Sequence, residues 1–266
     1  MIVRPSLLCL CTCMALAHAD TLPLPPEQCS AMRTAGVLGS AAPLGCERLV
    51  RVSFRHVDFD GATRTGELVV MDALAPQVAA VFDALYRRRF PIARARPLEN
   101  YRGDDLASMA DNNTSAFNAR PITGGSRWSL HAYGVAIDLN PLQNPYLSFD
   151  ASGSAQVLPP AAAATSVNRS ETRPGKPART GLAEAVVDLF AEHGFLGWGG
   201  DWNTPIDYQH FEPGSRRLVE RMAGATPAEA HRLFEARVAA YNACIAQTAA
   251  RPSRRAHCVE HVTRNE

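Results

Sequence analysis

The chain has 266 residues, 46% hydrophobic and 20% charged, which is enough apolar content for a packed core and too much for wholesale disorder. Its 27 Lys+Arg stand against 26 Asp+Glu, a formal net charge of +1. That balance excludes nucleic-acid recognition by a broad basic footprint and membrane attachment through a polybasic surface.

Arg4 precedes a short apolar run that closes on Ala17-His18-Ala19. This pattern predicts a cleavable secretory signal peptide over residues 1–19. The run is too short to cross a hydrocarbon core of about 30 Å as a helix, so no integral membrane segment is expected after cleavage. Removal of the peptide leaves 247 of the 266 residues, with 26 basic and 26 acidic side chains and four of the seven cysteines. An even cysteine count in an exported chain points to two disulfides. Of three possible pairings, Cys29–Cys46 with Cys244–Cys258 is favoured, because both pairs are local and flank the domain. Neither pair has the C-x-x-C spacing of a cysteine zinc site.

Residues 20–28 are rich in proline and read as extended. Val50, Val52 and Phe54 alternate with polar residues, Asp60-Gly61 marks a turn, and Glu67–Met71 reads as the returning strand of a hairpin. Pro76 opens a helix with Val78, Val81, Phe82 and Leu85 on one face. Arg87, Arg88 and Arg89 suit the negative end of that helix, and Pro91 stops it. Residues 143–179 carry five prolines and little apolar periodicity, so they read as a long loop or flap inside one domain. A helix follows with Leu182, Val186, Leu189 and Phe190 on one face and Gly194 as its stop. Thr226-Pro227-Ala228-Glu229 is a capping box before Leu233, Phe234, Val238 and Tyr241. Strands and helices do not alternate regularly, so the fold class is α+β: a single domain over 20–266, a small antiparallel sheet flanked by helices.

The chemistry concentrates in Ser126–Asp138 and in Gly197–Glu212. Two histidines and a carboxylate make a three-ligand zinc site with a fourth position for water. Val135, Ile137 and Leu139 alternate, which puts Asp138 on a strand with its side chain opposite theirs. His131 precedes that strand, and Gly134 lets the backbone turn between them. His210 must be brought in by the fold. A zinc site of this kind also needs a base, and Asp207, three residues before His210, has the spacing to supply a carboxylate beside the metal without ligating it. Arg102 is the candidate cation for a developing oxyanion. His56, His193, His231 and His257 read as ordinary histidines, Trp128, Trp198 and Trp202 as core or pocket wall, Glu212 as a neighbour of the site, and Arg120 as a structural ion pair in preference to a substrate contact.

These segments resemble the zinc D-Ala-D-Ala carboxypeptidase and L-alanyl-D-glutamate endopeptidase family of cell-wall peptidases. The family pattern S-x-H-x6-D matches Ser129-Leu130-His131 through Asp138, and its later carboxylate-x-x-His matches Asp207-Tyr208-Gln209-His210. Tyr101-Arg102, the stretch Asn112–Pro121 and Trp198-Gly199-Gly200-Asp201-Trp202 also fit. The resemblance covers roughly 95–145 and 180–213. It implies a hedgehog/DD-peptidase-like fold and one Zn2+ per chain on His131, Asp138 and His210. It further implies Asp207 as general base and acid, Arg102 on the scissile carbonyl, and Ser129 orienting a ligand or the substrate. The substrate implied is the peptidoglycan stem peptide, cleaved by an exported, periplasmic or secreted metallopeptidase of the D-Ala-D-Ala carboxypeptidase type. The alternatives are the L-Ala-D-Glu bond of the same peptide, or a non-catalytic zinc-containing cell-wall-binding module.

Overall fold

The computed structural model describes residues 19–122 and 124–264. The expected signal peptide lies outside these residues, apart from Ala19. Strand β1 (Asp20–Pro23) pairs antiparallel with β2 (Leu49–Val57), and helix α1 (Pro26–Thr34) lies between them in sequence. The proline-rich stretch is thus extended only at its start. Pro26 stands where a helix lacks an N–H acceptor anyway, so a proline there opens the helix. The hairpin partner β3 (Thr63–Met71) pairs with β2 over its full length. Its turn is held by Asp58, whose carboxylate accepts from the backbone N–H of Asp60 and Ala62, with Gly61 at φ +82°.

Helix α2 (Ala75–Arg87) covers this sheet. Val78, Val81, Phe82 and Leu85 have no exposed surface, and Phe82 stacks on Phe54 of β2 with ring centroids 3.9 Å apart. Burying each such side chain contributes about 1.5–3 kcal/mol, which fixes α2 to the hairpin. The chain then forms β4 (Arg94–Ala95), α3 (Asp105–Ala110) and β5 (Asn113–Thr114), with β4 and β5 parallel.

Strand β6 (Ile137–Asp138) follows, then the hairpin β7 (Tyr146–Phe149) and β8 (Ala155–Leu158). This hairpin falls in the stretch read as loop. Most of its side chains, including all but Leu147 of the apolar ones, are only partly covered or exposed, so no apolar alternation announces it. The segment is fastened by Arg169, which donates to Glu184, Asn144 Oδ1 and the carbonyls of Gln143 and Ser166. Its guanidinium also lies 4.3 Å from the centre of the Tyr208 ring.

Leu182, Val186, Leu189 and Phe190 are all buried as their spacing requires. Residues Ala183–Ala185 form a 3-10 turn, however, so α4 spans only Val187–Glu192. Gly194 ends it at φ +89°, and a side chain there would meet Phe234 at 2.7 Å. Strands β9 (Gly197–Trp198), β10 (Ile206–Asp207) and β11 (His210–Glu212) come next. They are followed by α5 (Arg216–Gly224), α6 (Pro227–Gln247) and α7 (Arg254–Thr263). Thr226 caps α6 by accepting from the Glu229 N–H at 3.4 Å. Phe234, Val238 and Tyr241 are buried, while Leu233 is only partly so.

The architecture is α+β, with seven α-helices among the described residues. Its sheet is divided into three small antiparallel units, β1-β2-β3, β10-β7-β8 and β6-β11-β9, plus the parallel β4–β5 pair. Both favoured disulfides are formed. Cys29–Cys46 ties α1 to the start of β2, and Cys244–Cys258 ties α6 to α7. No helix of the described residues is long and apolar enough to cross a membrane.

Candidate metal centre

Two strands and a turn bring the candidate ligands together. Asp138 and His210 are direct partners in the β6–β11 register. His131 sits in the 3-10 turn Leu130–Tyr133, whose first N–H groups are capped by Ser129 Oγ, 3.3 Å from His131 N. Ser129 therefore holds the backbone of the histidine turn. Gly134 closes this turn at φ +63°. A Cβ there would lie 2.7 Å from the Met71 nitrogen of β3, so only glycine lets the turn pack on the hairpin and reach β6.

The segment Asn112–Pro121 runs alongside. Ser115 exchanges backbone hydrogen bonds with Asp138, at 2.8 and 3.0 Å. The Ala116 carbonyl accepts from His131 Nδ1 at 2.6 Å. That bond leaves His131 Nε2 facing inward. On the other histidine, Nε2 donates to Glu212 Oε2 at 3.0 Å, which leaves Nδ1 facing inward.

The inward atoms form a triangle. His131 Nε2 lies 3.2 Å from His210 Nδ1 and 3.3 Å from Asp138 Oδ2, and His210 Nδ1 lies 3.1 Å from Asp138 Oδ1. A tetrahedral zinc site with ligands at about 2.0–2.2 Å sets its donor atoms about 3.3–3.6 Å apart. Both imidazole N–H groups are committed outward, so the triangle consists of acceptors and calls for a cation at its centre. The three residues thus fit a metal ion, and they are the group of the described residues whose donors converge in this way. Burial opposes charge on both Asp138 and His210, and their mutual attraction outweighs it. The imidazoles, His131 first, hold the Asp138 carboxyl well below the usual carboxylate range. Hydrogen bonds to Asp138 and Glu212 lift His210 well above the usual imidazole range, so a proton on Nδ1 takes the place between His210 and Asp138 that a metal cation would fill. Each shift is one the electrostatics of a cation-binding pocket produces.

Asp207 stays out of the triangle. It lies on β10, and the chain turns through Tyr208-Gln209 before His210 on β11. Its Oδ1 is buried without a hydrogen-bond partner. Burial, then the charge of Asp138, push its carboxyl up to about 7, against the opposing pull of His210 and His131. A carboxyl tuned in this way exchanges a proton at neutral pH.

Of the two arginines weighed from sequence, Arg102 is exposed at φ +54° and makes no side-chain hydrogen bond or ion pair among the described residues. Its neighbours are otherwise engaged: Asp104 caps α3, and Asp105 binds Asn118 and Arg120. Arg120 is therefore ion-paired, as expected. Its charge also reaches Tyr146, which is the direct β7 partner of Asp207.

Sequence reasoning gave no place to Tyr146. Its signal is the Asn144-Pro145-Tyr146 run just after Asp138 and Leu139. Burial, then Asp207, raise the Tyr146 phenol. Trp202 walls the site, with its ring 5.3 Å from that of His210. Trp198 is buried and donates from Nε1 to the Tyr208 carbonyl at 2.9 Å, while Trp128 packs partly buried on the core. Asp201, between Trp198 and Trp202, pairs with Arg255 of α7.

No curated protein and no solved structure shows a match to the chain. Residues 123–213 match the family of D-alanyl-D-alanine carboxypeptidases. That segment holds His131, Asp138, Asp207, His210 and Glu212, whereas Arg102 and Arg120 lie before it. The match agrees with the peptidase resemblance carried by the motifs, over the segment that holds the candidate site.

Proposed function

We propose that the protein is a zinc metallopeptidase of the D-Ala-D-Ala carboxypeptidase type that hydrolyses amide bonds in peptidoglycan stem peptides. The observation that carries this reading is the acceptor triangle of His131, Asp138 and His210 beside the buried carboxyl of Asp207, whose Oδ1 has no hydrogen-bond partner. The family match supports the hydrolase class. The two disulfides suit the periplasmic or secreted location that the signal peptide implies.

His131, Asp138 and His210 would hold the ion, with Ala116 and Glu212 fixing the imidazoles. A zinc ion held there supplies a Lewis acid that lowers the pKa of water towards about 7 and polarises a carbonyl. Asp207 accepts a proton from the attacking water and returns it to the leaving amine, which its raised pKa permits at neutral pH. By resemblance, Arg102 steadies the scissile carbonyl oxygen.

Zinc analysis tests the metal assignment. One zinc per chain is expected in the wild type and none in His131→Ala, with the same far-ultraviolet circular dichroism. Equal zinc content in the two proteins contradicts it.

A further inference from the structure

The Arg87-Arg88-Arg89 triplet plays no part in the metal centre. Helix α2 ends in a tight turn in which Arg89 N donates to Tyr86 O at 3.0 Å and Phe90 N to Leu85 O at 2.9 Å. The same paired bonds close α1 around Gly36 (φ +74°) and α4 around Gly194 (φ +89°). Glycine is the relaxed residue at that position. At the end of α2 the position is held by Arg89, at φ +52°. An arginine thus stands where the backbone favours glycine.

Arg88 and Arg89 line a cavity of about 310 Å³, together with Arg169, Arg179, Glu171 and Glu184. The charges in it do not cancel. Glu184 is taken by Arg169, at 2.6 and 2.7 Å. Arg179 donates to the carbonyls of Asn168 and Ser170 and so meets no acid. Arg88 and Arg89 have no ion pair among the described residues. Three arginines of the lining thus have no acidic partner, and Glu171 is the one carboxylate of the lining not already taken. Burial and then the nearby Arg173 and Arg169 lower the pKa of Arg179, as crowding of like charge does.

The cavity shares no residue with the metal triangle. Two of its wall residues, Pro91 and Gly181, accept hydrogen bonds from Asn140 and Asn144, which follow Asp138 in the chain.

We propose that this cavity is an anion-binding site in which Arg88, Arg89 and Arg179 take a phosphate or carboxylate group. Guanidinium groups match both oxyanions with paired N–H donors, and a partly enclosed site strengthens the attraction. In a cell-wall setting the same chemistry comes from stem-peptide carboxylates or from polymer phosphates.

The test is calorimetric titration of the zinc-loaded protein with inorganic phosphate and, separately, with D-glutamate. The proteins compared are the wild type, Arg88→Ser/Arg89→Gly and the control Arg217→Ser/Arg221→Ser, whose arginines are exposed on α5. Arg89→Gly relaxes the turn, so the double variant is expected to keep the wild-type Tm. Binding at the metal is common to all three proteins and drops out of the comparison. The expected result is a Kd at least tenfold weaker in Arg88→Ser/Arg89→Gly and within twofold of wild type in the control. Loss for phosphate alone assigns polymer phosphate, and loss for D-glutamate assigns the peptide carboxylate. No binding of either probe, or a double variant within twofold of wild type for both, overturns the proposal.

Discussion

Asp138 and His210 stand directly opposite one another on adjacent antiparallel strands, with carboxylate Oδ1 3.1 Å from imidazole Nδ1. The pair is held from behind, because Glu212 accepts from the far nitrogen of His210 at 3.0 Å. Loss of such a supporting partner typically weakens metal affinity by about 10–100-fold. Glu212→Gln is therefore expected to weaken zinc binding by that amount, read by chelator competition. An unchanged affinity would show that Glu212 merely neighbours the site.

Gly134 sets the distance between His131 and the strand that carries Asp138. A Cβ at 2.7 Å from the Met71 nitrogen forces the turn away from β3. Gly134→Ala is expected to destabilise the fold by about 1–3 kcal/mol, from steric overlap and the left-handed backbone. It should also lower zinc retention, although no ligand is altered. Full zinc content together with wild-type Tm would refute this reading of the turn.

Asp207 is a base in this account and not a ligand. Asp207→Asn keeps the shape of the side chain and removes its proton exchange. Turnover is expected to fall by about 10²–10⁴-fold, the usual contribution of general acid–base catalysis, at unchanged zinc content. Zinc loss in this variant would instead make Asp207 part of the metal shell.

His56 is buried on β2 against Phe54. Burial lowers its pKa below the ordinary 6.5, against backbone hydrogen bonds at Ile92 and Val57 and then the charge of Asp58, which pull the other way. Above about pH 6.5 the residue is neutral in both folded and unfolded chains and adds no pH dependence. Below that, the unfolded chain takes up a proton that the native chain resists, so stability falls until the pH passes the folded pKa. His56→Gln is expected to flatten the stability curve below pH 6.5, measured by urea unfolding at several pH values. Parallel curves for the two proteins would remove His56 from the acid response.

Much of the site was legible because its chemistry is written in fixed spacings. Ser129, His131 and Asp138 sit on a turn and a strand whose geometry follows from alternation and one glycine, whereas Asp207 and His210 were readable as a spacing and are brought to the others only by the fold. The hairpin Leu49–Met71 and helix α2 were legible for the same reason, since their apolar periods are complete. Tyr146 was not legible, because its place next to Asp207 depends on pairing between β7 and β10, some 60 residues apart. Ala116 contributes a backbone carbonyl, which no side-chain pattern reveals. Helices α1, α5 and α7 lack a long apolar stripe and are settled by docking, α1 and α7 with the help of a disulfide. The cationic cavity joins the end of α2 to residues about 80–100 positions later, so its arginines looked like an ordinary solvated helix end.

The central claim is hydrolysis of stem peptides at this metal centre, and mass spectrometry of purified muropeptides after digestion tests it most directly. The account predicts loss of one terminal D-alanine from pentapeptide muropeptides by the zinc-loaded wild type, and no change with Asp207→Asn or His131→Ala. Release of the peptide after L-Ala would move the assignment to the neighbouring bond. Intact muropeptides after digestion by fully zinc-loaded wild type would contradict the enzymatic reading itself.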